Sequence, residues 1–224
     1  MKKNKEAQFL DFLADYITEN KRTKINEVLK KRTRYLTVVL EDIFKEHNAS
    51  AVVRTCECLG IQDLHAIQNR YEFNVNPDVV RGSSNWIDIF HYREPEINNT
   101  EVCYHRLKEQ GYKIFATSTS LADTGLDDVT LDHKTAIVFG TELEGLSDYA
   151  LENADGCLKI PMYGFTESYN LSVCVAICMS QLVENLRHSE KVWKLKKNEL
   201  EAIKLEWFKR IVKKSETLEK AFFK

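Results

Sequence analysis

The chain has 224 residues, of which 43% are hydrophobic and 29% charged, proportions that are ordinary for a globular protein with one sizeable core. Asp11 and Asp15 interrupt the N-terminal apolar residues, and no run approaches the roughly 20 apolar residues of a membrane span, so we expect neither a secretory signal nor a transmembrane helix. The six cysteines include no CxxC pair. This spacing favours a cytoplasmic protein with cysteines packed as small apolar residues and no metal site.

Charge is distributed unevenly along the chain. The formal net charge is only -2, but residues 1–34 carry ten Lys and Arg against five Asp and Glu, and residues 187–224 carry twelve against six. The segment between them carries ten against twenty-three. Two basic ends around an acidic middle suggest an anionic partner such as RNA or DNA. Lysine-rich surface helices without a partner would give the same pattern.

The predicted secondary structure alternates between helices and strands. In chain order we predict a helix over 5–31, a strand over 36–44, a helix over 47–60 with Asn48 as N-cap and Gly60 past its end, strands over 61–69 and 82–92, a helix over 98–110, strands over 112–118 and 134–140, a helix over 147–154, a strand over 156–162, a helix over 170–187, and one or two basic helices in 190–224. This order predicts an α/β fold with a largely parallel sheet. We expect a basic helical extension over 1–34, a central domain over 35–187 and a second basic extension over 188–224.

Two of the predicted strands lead into residues that suggest a ligand site, since ligands of open α/β sheets bind beyond the carboxyl ends of the strands. The helix after the first strand carries Arg54, which alone is a weak signal because most helical arginines lie on the surface. The strand over 134–140 ends in Gly140, with Glu142 and Gly145 in the following turn. Glycines allow a backbone to approach a ligand closely, although an ordinary loop has the same composition.

The stretch KIPMYGFTESYNLSVCVAICM, residues 159–179, is the most unusual of the chain. Pro161 and Gly164 follow a strand, and Ser168 and Asn170 precede an apolar helix. One N-cap needs only one such polar residue, so the loop is more polar than capping requires. The chain has no GxGxxG after its first strand, no P-loop and no GxSxG elbow, so the common dinucleotide, nucleotide and hydrolase sites are not supported.

Taken together, these stretches resemble the three motifs of the SpoU/TrmH branch of the SPOUT methyltransferases, in order and with similar spacing from about Leu36 to Arg187. The first motif is Asn48-x5-Arg54 with Gly60, the second is Phe139-Gly140-x-Glu142-x2-Gly145, and the third is Ile160-Pro161-Met162 with Gly164 and Ser168-x-Asn170.

The resemblance implies a parallel-sheet SPOUT domain with a C-terminal trefoil knot, flanked by basic helices, in a homodimer with its active site at the subunit interface. It implies S-adenosylmethionine as the cofactor and no metal. The expected cofactor-binding residues are Thr117, Gly140, Ile160, Met162 and Tyr169. The last of these differs from the leucine that is usual in the family, a change expected to alter the shape of the pocket.

The implied activity is methylation of the ribose 2′-hydroxyl of a guanosine in the D-loop of tRNA, by in-line attack on the sulfonium methyl. Arg54 matches the catalytic arginine of the family. Because arginine stays protonated in proteins, a guanidinium that grips the target phosphate and polarises the hydroxyl fits its chemistry better than a free base. Ser168 and Asn170 are expected to orient Arg54 and the ribose, while Asn48 and Glu142 fix the loops.

The basic ends are expected to bind the tRNA. The residues predicted to contact RNA are Arg22, Lys24, Lys31, Arg32, Arg34, Lys194, Lys196 and Lys197. Trp193, Trp207 and Phe208 could stack on bases, but their helical spacing favours a place in the core. The main alternative is methylation of ribosomal RNA, which the short segment before the first strand disfavours because such family members usually carry a larger N-terminal RNA-binding domain. A knotted RNA-binding protein without catalysis is less favoured still.

Overall fold

A computed structural model describes residues 2–119 and 124–224 of the chain. Its helices and strands are α1 (Lys2–Ala14), α2 (Glu19–Leu29), β1 (Leu36–Glu41), α3 (Glu46–Leu59), β2 (Asp63–Ile67), α4 (Pro77–Val80), β3 (Asp88–Tyr92), α5 (Asn99–Glu109), β4 (Tyr112–Thr117), β5 (Thr124–Gly125), β6 (Lys134–Phe139), α6 (Asp148–Glu152), β7 (Gly156–Lys159), α7 (Leu171–His188), α8 (Lys197–Ile211) and α9 (Ser215–Phe222). Two short 3₁₀ helices cover Ser83–Trp86 and Leu126–Asp128. Within these described residues no helix is long and apolar enough to cross a membrane.

The chain forms two compact units. The terminal unit combines Met1–Arg32 with Lys194–Lys224, and the α/β unit is Thr33–Trp193. No local pattern in the sequence predicts that the two basic ends pack together, because the residues that join them are separated by more than 160 positions along the chain. Contacts between α1 and α8 and between α1 and α9 unite them.

The terminal unit has a core of aromatic and aliphatic side chains. Phe9 is fully buried in α1, and its ring centroid lies 5.2 Å from that of Phe222 in α9. Trp207 and Phe208 in α8 are also buried, which confirms the prediction that they belong to the core. The single helix predicted over 5–31 is wrong: α1 ends at Ala14, and the Thr18 hydroxyl caps a new helix by accepting the Lys21 amide at 3.4 Å.

The α/β unit is built on a seven-stranded sheet with the order β3-β2-β1-β6-β4-β7-β5. Every pairing between these strands is parallel, which confirms the predicted fold class. All six residues of β1 are buried, as expected for a strand covered on both faces. The two-residue β5 at the sheet edge was not predicted. Because β1, β6, β4 and β7 are successive neighbours, the loops after these strands meet at one edge of the sheet.

Helices α3 and α7 pack against each other in the α/β unit. The predicted N-cap of α3 is wrong: the helix begins at Glu46, so Asn48 lies inside its first turn and Lys45 is the N-cap residue. The predicted end is confirmed, with Gly60 in the left-handed conformation at φ 81°. Asn170 caps α7, because its Oδ1 accepts the Ser172 amide at 3.0 Å.

The six cysteines are all free, and the prediction that they pack as buried apolar residues holds for part of the set. Cys56, Cys103 and Cys178 are buried, Cys157 and Cys174 are half-buried, and Cys58 is exposed. The described residues contain no group of three or more His, Cys, Asp or Glu side chains placed to hold a metal ion.

Glu41, the last residue of β1, is a buried carboxylate that joins three elements, and its replacement should destabilise the α/β unit. Its oxygens accept the Thr100 hydroxyl at 2.5 Å, and the Ser147 amide and hydroxyl at 2.8 Å each. We expect Glu41→Gln to lower the free energy of unfolding by about 2 kcal/mol, because an amide N–H would face donors in a buried site. Urea unfolding followed by circular dichroism measures the change. Exposed Glu72→Gln is the control, and equal stability of the two variants would contradict the assigned role.

Candidate active site

A hydrogen-bonded cluster joins the three sequence motifs at the carboxyl edge of the sheet. The Asn48 amide donates to Glu142 Oε1 at 2.7 Å, and the Asn170 amide donates to the same oxygen at 2.9 Å. Asn170 Nδ2 also lies 3.3 Å from Asn48 Oδ1. One carboxylate therefore fixes the start of α3, the loop after β6 and the start of α7 relative to one another.

Lys45 completes this cluster from a position that the sequence analysis missed. Its ammonium donates to Glu142 Oε2, so both carboxylate oxygens of Glu142 have donors. Hydrogen bonding from Lys45, with a further contribution from Asn48, holds the pKa of the Glu142 carboxyl below its usual value. Glu142 is therefore an anchored anion that orders donors around it. A lysine between a strand and a helix is so common on protein surfaces that no sequence signal marked it.

Arg54 lies apart from the cluster. It is exposed on α3, and no hydrogen bond or ion pair to it is found in the described part of the chain. It lies six positions after Asn48 in the helix, a rotation of about 600°, which places the two side chains on different faces of the helix. Within this chain the Asn170 amide binds Asn48 and Glu142, so the expectation that Asn170 orients Arg54 stays a prediction.

A cavity of about 310 Å³ opens at the carboxyl ends of β4, β6 and β7. All five residues predicted to hold the cofactor line it, and so does Ser168. The predicted cofactor residues are Thr117, Gly140, Ile160, Met162 and Tyr169. Glu142 lines the same cavity, so its carboxylate belongs to both the pocket wall and the cluster. Cys174, in the second turn of α7, also contributes to the wall and was not predicted.

The second motif forms a tight backbone turn in this wall. The Thr141 amide donates to the Gly145 carbonyl at 2.9 Å, and the Gly145 amide returns a bond to the Thr141 carbonyl at 3.1 Å. A Cβ at position 140 would lie 2.1 Å from the Gly145 carbonyl oxygen, so only glycine fits at Gly140. Gly145 has φ 72°, a conformation that favours glycine. Both glycines predicted from spacing are therefore required by the turn.

Two of the residues predicted to contact RNA, Arg32 and Arg34, lie where their guanidinium groups are already buried or paired within the protein. Arg32 is 1% exposed, and its guanidinium carbon lies 5.2 Å from the centroid of the Trp207 ring, so it belongs to the core of the terminal unit. Arg34 is ion-paired with Asp63 at 3.0 Å and with Asp88 at 2.8 Å in the α/β unit. Burial and pairing explain both corrections. Arg22 is half-buried, and five of the predicted lysines are exposed: Lys24, Lys31, Lys194, Lys196 and Lys197.

Comparison with known proteins decides the family. The model of the SpoU rRNA Methylase family matches residues 35–180, well over half of the chain. This protein belongs to the SpoU methylase family. The chain is 45% identical over 207 residues to a tRNA (guanosine(18)-2′-O)-methyltransferase of Borreliella burgdorferi, a match that covers 92% of this chain and 93% of the relative.

Further SpoU-family relatives extend the likeness. A tRNA (guanosine(18)-2′-O)-methyltransferase of Thermus thermophilus is 35% identical over 162 residues, which are 72% of this chain and 81% of that protein. The crystal structure of the A. aeolicus TrmH/SpoU tRNA modifying enzyme superposes with a TM-score of 0.76 at 30% identity. That superposition covers 88% of this chain and 98% of the other.

The low pKa of Glu142 predicts how the stability of this SpoU-family protein depends on pH. A carboxyl whose pKa is lower in the folded state contributes stability above its unfolded pKa and loses it as pH falls through the folded pKa. We expect Glu142→Gln to lower the free energy of unfolding by about 1 kcal/mol at pH 7. The difference from wild type should shrink progressively below about pH 4.5.

Urea unfolding of both proteins between pH 3.5 and 8 measures this dependence. Glu144→Gln is a matched control, because the Glu144 carboxylate is 61% exposed and its pair with Arg70 is screened by water. A difference between wild type and Glu142→Gln that stays constant with pH would show that the Glu142 charge does not carry the stabilisation.

Proposed function

We propose that this protein transfers a methyl group from S-adenosylmethionine to the ribose 2′-hydroxyl of guanosine 18 in tRNA. The observation that carries the proposal is the cavity whose wall includes the predicted cofactor residues and Glu142, the centre of the cluster with Asn48 and Asn170. The names of the relatives supply the substrate, since the Borreliella burgdorferi and Thermus thermophilus proteins are both named for guanosine 18 of tRNA.

The cavity fits a cofactor with an adenine and an aminoacyl end. Its volume lies at the lower end of the range of about 300–1,000 Å³ that is typical of small-molecule sites. Leu158, Ile160 and Met162 give it an apolar side suited to an adenine ring, and the turn at Gly140, where no side chain fits, lines the same cavity. S-adenosylmethionine supplies a methyl group that its sulfonium already activates for attack by an oxygen nucleophile.

Because the methyl group is already activated, the main task of the protein is to position the ribose 2′-hydroxyl that attacks it. The Glu142 cluster holds the loops after β1 and β6 at the cavity, and Ser168 lies on the cavity wall where a ribose would approach. Arg54 would grip the target phosphate with its donor fork and polarise the 2′-hydroxyl. The hydroxyl oxygen would bond to the methyl carbon as the bond between that carbon and the sulfonium sulfur breaks, so that the sulfur leaves as a neutral thioether and the hydroxyl proton passes to water. Tyr169, 41% exposed on the cavity wall, would hold the cofactor through its backbone.

The proposal includes a homodimer in which Arg54 serves the pocket of the partner subunit. Arg54 lies on a different face of α3 from Asn48 and has no described partner within its own chain, as a residue working across an interface would. The α/β unit also exposes large apolar side chains in the third-motif loop: Tyr163 is 96% exposed, and Phe165 is fully exposed. Burial of such side chains against a second copy would stabilise a dimer.

The proposal also includes the trefoil knot. The segment after β7 lines the cavity together with residues from the ends of β4 and β6. It then continues into α7, which packs on α3. This return of the chain to strands that precede it in sequence is compatible with threading through their loops.

The basic ends supply the RNA-binding surface of the proposal. With Arg32 buried and Arg34 paired with two aspartates, the predicted RNA-binding residues that remain are Arg22, Lys24, Lys31, Lys194, Lys196 and Lys197. Each phosphate that they contact would add to the salt dependence of binding. Since tRNA is the substrate, we place the enzyme in the cytoplasm.

Methyl transfer from labelled S-adenosylmethionine tests the function directly. We expect label to enter an unmodified tRNA transcript carrying guanosine 18, and we expect a matched transcript with a 2′-deoxyguanosine at that position to remain unlabelled. Ribosomal RNA in a parallel reaction tests the alternative substrate. Label in ribosomal RNA alone would keep the chemistry and overturn the substrate. No label in either RNA, despite binding of both, would support a non-catalytic RNA-binding protein.

The role of Arg54 predicts a strong effect of a conservative change. Arg54→Lys keeps the positive charge but loses the planar fork that binds phosphate through two hydrogen bonds. We expect kcat for methyl transfer to fall about 100-fold, with the Kd of S-adenosylmethionine unchanged. Single-turnover kinetics and isothermal titration calorimetry measure the two quantities. Exposed Arg93→Lys is the control, and an Arg54→Lys variant as active as this control would rule out the proposed role.

A further inference from the structure

Two exposed aromatic side chains lie together beside the cluster. Phe44 is 45% exposed and Tyr71 is 42% exposed, and their ring centroids are 5.3 Å apart with an interplanar angle of 49°. They come from different loops, one after β1 and the other after β2. Asp42 joins these loops, because its buried Oδ1 accepts the backbone amides of Asn69 and Arg70 at 2.8 Å each. The aromatic pair is therefore held in place by the backbone on both sides.

A cation lies over each ring of this pair. Lys45 Nζ is 5.8 Å from the centroid of the Phe44 ring, and the guanidinium carbon of Arg70 is 5.7 Å from that of Tyr71. Each cation is also ion-paired with the cavity wall, Lys45 with Glu142 and Arg70 with Glu144 at 2.5 Å. The aromatic pair thus lies one side-chain length from the rim of the cofactor cavity.

We propose that Phe44 and Tyr71 form a stacking platform for the base of the target nucleotide. This inference rests on the proposed function, because it assumes that an RNA nucleotide is presented to the cavity. When the ribose 2′-hydroxyl of a nucleotide reacts at the rim of the cavity, the base of the same nucleotide lies no farther from the rim than the width of the sugar ring. Aromatic side chains bind unstacked bases through their π-faces, and neighbouring cations strengthen the contact with the electron-rich base and its phosphate. The Lys45–Glu142 pair would couple the platform to the cluster.

Substitution of the rings tests the platform. Phe44→Leu and Tyr71→Leu keep apolar bulk but remove the π-face, and we expect each to lower kcat/KM for tRNA about tenfold without changing the Kd of S-adenosylmethionine. Tyr71→Phe keeps the ring and should retain wild-type kcat/KM. These values come from initial rates over a range of tRNA concentrations, with cofactor affinity measured separately by calorimetry.

A fluorescent base gives a second readout that a merely structural role would not move. In a tRNA transcript with 2-aminopurine at position 18, stacking on the platform should keep the fluorescence of the saturated complex low. We expect the fluorescence to be higher with either leucine variant and to stay low with Tyr71→Phe. Equal fluorescence and equal kcat/KM in wild type and both leucine variants would overturn the platform.

Two further outcomes separate the possible failures. If wild type does not methylate tRNA at all, the proposed function fails and the platform fails with it. If wild type is active but the leucine variants change the sedimentation coefficient of the protein, the aromatic pair is an interface between copies of the chain and the stacking role is overturned.

Discussion

The geometry of the candidate site depends on one carboxylate with donors on both of its oxygens. Glu142 follows β6, and its partners Asn48 and Asn170 belong to helices that start more than 120 residues apart in sequence. The Asn170 amide alone contributes little, since it is exposed and has water as an alternative partner, whereas the Asn48 amide is buried. Their convergence on one anion fixes three loops at once, and the pKa of Glu142 stays low because Lys45 binds it as well. The charge is thus used for order, and the chemistry is left to other residues.

The strand order makes this convergence possible. With β6 between β1 and β4, and β7 beside β4, the loops after these strands are neighbours even though their strands are distant in the chain. Parallel pairing puts all of their carboxyl ends at one edge. The Gly140 turn then allows the second-motif backbone to close on itself, where any side chain would strike the Gly145 carbonyl. This turn forms one part of the pocket wall, where only glycine fits at position 140.

Most strands and the end of α3 could be predicted from the sequence, because each depends on residues that are close together along the chain. The apolar run of β1 and the glycine at position 60 are read within a few residues, and both the strand and the helix end are found where expected. The family resemblance, and not local sequence, named the five cofactor-binding residues, and all five line one cavity. Features set by distant contacts were harder to predict: local sequence predicts Asn48 as a helix cap, whereas its partner, Glu142, lies 94 residues away, and only the family resemblance implies that these two residues fix the loops. Arg32 looked like a surface cation because Trp207, over which it packs, is far along the chain.

The position of Arg54 bears on whether one chain can supply all the groups that the proposed reaction needs. Asn48, Glu142 and Asn170 satisfy one another, so they have little spare hydrogen-bonding capacity for a substrate phosphate. Arg54 is exposed on α3, on a different face of the helix from Asn48, and it does not line the cavity. If Arg54 supplies the phosphate-binding guanidinium, as proposed, the simplest source for this pocket is the same residue of a second copy. The proposed homodimer follows from this need for a donor as well as from the exposed apolar loop around Phe165.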